Sequence, residues 1–237
     1  MALPRLNESP QYELVIPSSG ETVNYRPFLV KEQKVLLIAY ESQDQKQIVN
    51  SILQCISACL EQEIDVSKLS TFDADYIFTT VRSKSVGEKV SVNAKCSSCE
   101  HANEIEINLE NIQLEGKVKP ISVEITEDIH LKMKYPTYHD LITKTNIATK
   151  GAAVESIFEM ITTCIDGVAT KDEFLSVQDE SREEIERFIN SLTTDQFEKV
   201  RQFVETIPKI TLDYEYTCEA CKHVNKNKLE GLQDFFS

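Results

Sequence analysis

Two pairs of cysteines are the residues of this sequence best suited to chemistry. Cys96 and Cys99 form one CxxC pair, and Cys218 and Cys221 form the other. Each pair follows alternating apolar residues typical of a strand. A two-residue gap allows both sulfurs of a turn to face one tetrahedral ion, and thiolate is a preferred ligand of Zn²⁺. The duplicated pairs therefore predict one structural Zn²⁺ held by these four cysteines in a zinc-ribbon-like site.

The two pairs are far apart in the sequence, so a shared ion requires a tertiary contact. Cys99 and Cys218 are separated by 119 positions, whereas about 15 to 20 residues separate the pairs of a compact ribbon. Three alternatives remain open: a redox-active CxxC pair, two ions with His101 and His223 as third ligands, and cysteines without metal. A redox pair favours a helix N-terminus, but strand-like sequence follows each pair here. Exposed turn residues are the simpler interpretation of both histidines.

Composition and charge exclude several classes of function. The chain has 237 residues, a formal net charge of −14 and 7 cysteines. A field of this sign repels phosphate backbones, so we expect no nucleic-acid partner. The longest apolar run, at 35–40, is too short to span a bilayer, and the first residues lack a secretory signal. An odd cysteine count without such a signal favours a reducing compartment and free thiols.

No sequence motif indicates catalysis. The chain contains no nucleophile elbow, His-Glu-x-x-His motif, phosphate loop or dinucleotide fingerprint. A closed site of four cysteines would be structural, because catalytic zinc keeps an open position. We therefore expect no enzyme activity and no small-molecule substrate. The other three cysteines, Cys55, Cys59 and Cys164, lie on apolar helical stripes and are predicted to be buried thiols.

The elements that must position the cysteines follow from the hydrophobic periodicity, which changes along the chain from about 3.6 to 2 and back. We predict an α+β fold with an N-terminal β-hairpin and helices in 1–86. A small antiparallel β region with the CxxC pairs covers 87–136 and 209–237, and a helical insert at 137–208 separates its halves. The first helices are predicted at about 30–41, 44–61 and 71–85. Within the insert, capping-box spacings begin at Ser181 and Thr193.

Three blocks of sequence resemble segments of a known family. Tyr-Arg-Pro-Phe-Leu-Val-Lys-Glu at 25–32 follows a hairpin at 14–20, Arg-Ser-Lys-Ser-Val-Gly-Glu at 82–88 precedes the first CxxC pair, and Gly-Leu-Gln-Asp-Phe-Phe occupies 231–236. With these blocks the chain resembles, nearly end to end, the T4-like bacteriophage baseplate family. Members are described as baseplate hub subunits or hub-assembly proteins of contractile tails. They differ in whether both CxxC pairs are present, so the zinc prediction rests on this sequence alone.

The resemblance implies a non-enzymatic role in which the protein binds other baseplate and tail hub proteins. Such a protein would be found in the host cytoplasm during assembly and, as a permanent subunit, in the virion baseplate. Candidate partner-binding residues are Arg26 and Phe28 in the first block and Phe235 and Phe236 in the last, where the two phenylalanines either pack on their own domain or bind a partner. The alternative is a protein-binding zinc-ribbon module in phage transcription or replication, which neighbouring genes would distinguish.

Overall fold

The computed structural model describes residues 10–119, 121–144, 153–177 and 180–231. Within them the strands are β1 (Tyr12–Val15), β2 (Thr22–Tyr25), β3 (Lys89–Lys95), β4 (Ala102–Asn108), β5 (Gln113–Glu115), β6 (Ser122–Thr126), β7 (Ile129–Met133), β8 (Ile165–Ala169), β9 (Phe174–Ser176), β10 (Lys209–Thr217) and β11 (Val224–Glu230). The helices are α1 (Val30–Ser42), α2 (Gln45–Cys59), α3 (Thr71–Val86), α4 (Tyr138–Lys144), α5 (Ala153–Cys164), α6 (Arg182–Asn190) and α7 (Thr194–Glu205). The described strands pair in small antiparallel sheets, which confirms the predicted α+β class.

The chain forms two compact units. The first contains the described residues up to Val66, Phe72–Glu115 and the chain from Lys209 onward, and the second contains Ser67–Thr71 and Gly116–Pro208. The sequence division placed the β6–β7 hairpin with the cysteine pairs, in 87–136. The structure groups this hairpin with the helices instead, because β7 pairs with β8.

The first unit begins with the predicted hairpin. Strand β1 pairs antiparallel with β2, and the buried side chains of Leu14 and Val23 lie opposite each other. The turn closes with a hydrogen bond of 2.8 Å from the Gly20 N–H to the Ile16 carbonyl. Gly20 has a φ of 71°, a left-handed conformation that glycine adopts without steric cost.

Helices α1 to α3 begin and end within two residues of their predicted positions. Helix α2 follows Asp44, whose carboxylate accepts a hydrogen bond of 2.8 Å from the Lys46 N–H and so caps the helix. Four residues of its apolar stripe are buried, namely Ile52, Cys55, Ile56 and Cys59. Helix α3 buries apolar side chains around most of its circumference, namely Phe72, Ala74, Ile77, Phe78 and Val81.

Two pairs of strands from distant parts of the chain share one core in the first unit. Strand β3 pairs with β4 over their whole lengths, and β10 pairs with both β11 and β5. Ile107 of β4 and Leu109, just after this strand, pack with Ile210 and Leu212 of β10. All four are nearly inaccessible to solvent. This common core brings together the two turns that carry the CxxC pairs.

The second unit contains a four-stranded sheet in the order β6-β7-β8-β9. Its core joins residues of the sheet to residues of α5, α6 and α7, namely Ile125, Leu131, Met133, Ile161, Cys164, Ile165, Ile189, Val200 and Phe203. The predicted caps are present: Ser181 accepts a hydrogen bond from the Glu184 N–H, and Thr193 and Gln196 form a reciprocal capping box. These caps fix where α6 and α7 begin.

Strands β8 and β9 correct the prediction of a purely helical insert at 137–208. Ile165 continues the apolar stripe of α5 in sequence, so periodicity alone assigns it to the helix. The structure ends α5 at Cys164 and begins β8 at Ile165. Gly167 then allows the close approach of β9, because a β-carbon there would lie 2.5 Å from the Leu175 carbonyl oxygen. The insert therefore combines helices with a sheet.

Candidate metal centre

The two CxxC pairs lie in turns with the same backbone conformation. The first turn joins β3 to β4, and the second joins β10 to β11. The Cys96 N–H donates to the His101 carbonyl at 2.9 Å, and the Cys218 N–H donates to the His223 carbonyl at 2.8 Å. The residue after each second cysteine is left-handed, with a φ of 57° at Glu100 and 60° at Lys222. We call these turns knuckle 1 (residues 96–101) and knuckle 2 (residues 218–223).

The four sulfur atoms form a compact cluster within the first unit. Their Sγ atoms all lie within 4.8 Å of one another. The Cys96–Cys221 sulfur distance is 3.6 Å and the Cys99–Cys218 distance is 3.7 Å. Sulfurs about 2.3 Å from a tetrahedral Zn²⁺ would be separated by about 3.8 Å. The cluster therefore has the size that one tetrahedral metal ion requires, and each close pair joins one knuckle to the other.

The two cysteines of a pair differ in burial, and the difference is the same in both knuckles. The first cysteine of each pair is buried, with Cys96 2% exposed and Cys218 fully inaccessible. The second cysteine of each pair, Cys99 or Cys221, is exposed. The site thus has two ligands inside the protein and two at its surface, which leaves an ion a route of entry.

Backbone N–H groups favour the thiolate form of the buried cysteines. Burial of Cys96 opposes its ionisation, but hydrogen bonds from turn amides, including the Ser98 N–H at 3.4 Å from the sulfur, lower its pKa to about 6. The Cys221 N–H is the main cause that lowers the pKa of Cys218. Because a thiolate rather than a thiol binds a metal ion, the turns favour the ligand form of both side chains.

Two asparagines, for which the sequence pattern predicts no role, connect the knuckles. The Asn225 side-chain oxygen accepts hydrogen bonds of 2.9 Å from both the N–H and the hydroxyl of Ser97 in knuckle 1. The Asn103 side-chain oxygen accepts one of 2.9 Å from the Glu219 N–H in knuckle 2. Their only signal in the sequence is position, since an asparagine stands four residues after the second cysteine of both pairs.

The geometry bears on two of the alternatives left open above. His101 and His223 are exposed, and the metal-sized group found among the described residues contains the four cysteines without either histidine. Each CxxC pair lies in a turn between strands rather than at a helix N-terminus, so the helix dipole that activates a redox pair is absent from both knuckles. One shared ion therefore fits the arrangement better than two ions or a redox pair.

The predicted partner-binding residues of the first block lie between β2 and α1. The Arg26 guanidinium donates to the Glu32 carboxylate at 2.9 Å, and 21% of its side chain is exposed. The Phe28 side chain is 9% exposed. These contacts give both residues a packing role in the first unit, and partner binding by them stays a prediction. Phe235 and Phe236 lie outside the described residues.

The fold and the site define a small α+β protein with a four-cysteine centre. Two hairpins that are distant in the sequence, β3–β4 and β10–β11, each supply two of the cysteines. In the part of the chain that the structure describes, no helix combines the length and apolarity needed to cross a membrane. A family model described as T4 bacteriophage base plate protein matches residues 9–237. The chain belongs to this family, which confirms the resemblance to baseplate proteins. No curated protein and no solved structure matches the chain.

Proposed function

We propose that this protein is a non-enzymatic component of the phage baseplate that acts in hub structure or hub assembly by binding other tail proteins. The observation that carries the proposal is the family match, which covers nearly the whole chain. The match also favours a tail protein over the alternative in phage transcription or replication.

We further propose that the four cysteines hold one structural Zn²⁺. The support is the sulfur cluster itself, whose size suits a tetrahedral ion and whose buried members favour the thiolate form. Four sulfur ligands fill a tetrahedral shell, so no position remains for a substrate or a reactive water. The ion would stabilise the first unit by tying β3 and β4 to β10 and β11.

The surface best suited to a tail-protein partner is the outer face of α1. Val30, Leu37 and Ile38 share one side of this helix, because their spacing is close to two turns. They are 79%, 57% and 55% exposed, respectively. Exposed apolar side chains grouped on one face are typical of protein–protein contact sites. This face begins with Val30, within the block that contains Arg26 and Phe28.

Co-expression with the tail proteins of the same phage, followed by pull-down, tests the proposal. We expect the wild type to capture at least one of them. The double variant Leu37→Glu with Ile38→Glu should lose this partner, because two buried charges would oppose docking. Ile121→Glu is the matched control, since Ile121 is 50% exposed but belongs to the second unit. If the wild type captures no tail protein and tails assemble normally without it, the proposal is wrong.

A truncation tests the candidate residues that the structure does not describe. A variant lacking residues 231–237 removes Phe235 and Phe236. If this variant folds normally and loses the captured partner, the phenylalanines belong to the interface. If it unfolds at a lower temperature, they belong to the core of the protein.

Mass spectrometry of purified virions distinguishes the two forms of the proposal. A permanent hub subunit would be present in every virion at a fixed copy number. A hub-assembly protein would be required for tail formation but absent from purified particles. The same measurement tests the expected localisation, in the virion baseplate or in the host cytoplasm alone.

A further inference from the structure

The strongest unexplained feature of the structure is the reciprocal arrangement of Asn103 and Asn225. Each side-chain oxygen accepts the N–H of the residue that follows the first cysteine of the other knuckle, at 2.9 Å in both cases. Each side-chain nitrogen donates within its own knuckle, to the carbonyl of His101 at 2.9 Å or of His223 at 3.2 Å. Both asparagines therefore join the two knuckles while also bracing their own.

The burial of these asparagines shows that the contacts depend on the position of both knuckles. Asn103 is 2% exposed and Asn225 is 3% exposed. A buried amide that lacks hydrogen-bond partners is destabilising. If one knuckle moved away, the oxygen of each asparagine would lose its partner. The amides are thus satisfied only when the knuckles are held at the spacing that places the four sulfurs together.

We propose that Asn103 and Asn225 are positioning residues that hold the two knuckles together before a metal ion binds. The hydrogen bonds that their side-chain oxygens accept from backbone N–H groups of the other knuckle do not require an ionised sulfur. These contacts between the knuckles therefore do not depend on the ion. Closing a loop between Cys99 and Cys218, 119 positions apart, costs conformational entropy. The asparagines and the common core of the hairpins offset this cost in the metal-free protein. An ion then meets four ligands that are already in place.

Asn225 has the larger share of this role. Its oxygen accepts two hydrogen bonds from Ser97, whereas that of Asn103 accepts one from Glu219. Its nitrogen also lies 3.6 Å from the Cys96 sulfur. An N–H group at this position stabilises a thiolate ligand directly, in the manner of partners that orient metal ligands in other sites.

Two measurements on the full-length protein test this inference. Only the second, the affinity for Zn²⁺, rests on the proposed zinc site. The first is amide hydrogen exchange in metal-free protein. We expect Asn225→Ala to accelerate exchange at the Ser97 N–H, and Asn103→Ala to accelerate exchange at the Glu219 N–H, each by about tenfold or more. The effect is crossed, because each substitution in one hairpin exposes an amide in the other. A purely local packing role would not produce this pattern.

The second measurement is the affinity for Zn²⁺, by competition with a chelator. We expect Asn225→Ala to weaken binding by about 10- to 100-fold, the range typical of residues that support metal ligands, and Asn103→Ala to weaken it less. Asn227→Ala is the matched control, because Asn227 lies in the same strand but donates to Tyr214 of its own hairpin. The Ser97→Ala substitution removes only the hydroxyl contact. The affinity of this variant for Zn²⁺ should therefore remain within about threefold of the wild-type value.

The outcomes separate this inference from the proposed function. If the wild type binds no Zn²⁺, the proposed zinc site is wrong, and the exchange measurement alone decides the role of the asparagines. If the Ser97 and Glu219 amides exchange rapidly in metal-free wild type, or if neither alanine variant changes exchange or affinity, the inference is overturned. The wild-type exchange result decides the matter even if Asn225→Ala fails to fold.

Discussion

Cys218 is the ligand whose replacement should have the clearest effect, because its side chain is inaccessible to solvent. We predict that Cys218→Ser abolishes stoichiometric Zn²⁺ binding and lowers the free energy of unfolding by about 4 kcal/mol or more, as loss of a structural metal does. Thermal unfolding with and without a chelator is the measurement. The chelator should lower the melting temperature of the wild type but leave that of the variant unchanged.

Cys164→Ala is the control for this prediction. Cys164 is equally buried but belongs to the core of the second unit. Its replacement should destabilise the protein while the response to the chelator persists. Purified wild type without metal, with a melting temperature that the chelator does not change, would end the zinc proposal.

Glu32 links charge to stability at the start of α1. Burial opposes its ionisation, but hydrogen bonds from the Arg26 guanidinium at 2.9 Å and the Leu29 N–H at 2.8 Å outweigh this and lower its pKa. We predict that Glu32→Gln lowers the free energy of unfolding at pH 7 by about 1 to 3 kcal/mol. The measurement is urea-induced unfolding of both proteins at several pH values.

The pH dependence of this difference follows from the direction of the shift. A carboxylate whose pKa is lower in the folded state stabilises the protein fully above its unfolded value of about 4.3. This stabilisation is lost as the pH falls through the lower folded value. The gap between wild type and Glu32→Gln should therefore be constant above about pH 5 and narrow at more acidic pH. A gap that widens on acidification would contradict the assigned interaction.

Among single residues, the sequence predicts the cysteine cluster better than the side chains that support it. The four cysteines were predictable because two ligands in one turn require a fixed local spacing, and that spacing is visible in the sequence. Asn103 accepts its decisive hydrogen bond from Glu219, 116 positions away, and Asn225 accepts its own from Ser97, 128 positions away. No local pattern encodes a contact of that kind, although the repeated position of the asparagine marks both residues.

Among the elements, β8 depends most clearly on a single residue. A β-carbon at Gly167 would lie 2.5 Å from the Leu175 carbonyl oxygen and would also collide with the Phe174 ring. We predict that Gly167→Ala lowers the free energy of unfolding by about 1 to 3 kcal/mol through overpacking. Thermal unfolding should show this loss. Adding Phe174→Leu should recover only part of the lost stability, because the collision with the backbone carbonyl remains. Full recovery would show that the ring alone is responsible.

The same region shows why some elements could be predicted and others could not. Helix α2 has a long apolar stripe and an acidic cap, so its bounds follow from local sequence. Strands β8 and β9 contain five and three residues. Runs of this length do not distinguish period 2 from period 3.6. Their pairing with β7 and with each other, rather than intrinsic preference, determines their structure.

For the whole molecule, the register of β5 and β10 predicts that most of the second unit can be removed. Glu115 and Lys209 are directly paired across these antiparallel strands, and Gly116–Pro208 lies between them in the sequence. We predict that replacing this segment with an Asn-Gly turn, which suits a tight hairpin, leaves a first unit that unfolds cooperatively and binds Zn²⁺. Circular dichroism and metal analysis are the measurements.

The same deletion with Cys218→Ser is the control, and it should bind no metal. A shortened protein without a cooperative unfolding transition would show that the first unit depends on the second. The sequence predicts an inserted segment, because the two CxxC pairs imply one site. It could not locate where the insert begins, because the strands β6 and β7 look the same in sequence whichever sheet they join.

The four clustered cysteines lie far apart in the sequence, and this separation has a mechanical consequence. Tension on a protein follows its shortest covalent or coordinate path. With an ion bound, a load applied before Cys96 and after Cys221 would pass through the metal–sulfur bonds. The 119 positions between Cys99 and Cys218 would then remain slack, so the second unit would bear no load. Single-molecule stretching should therefore release about 400 Å of additional chain when a chelator removes the ion.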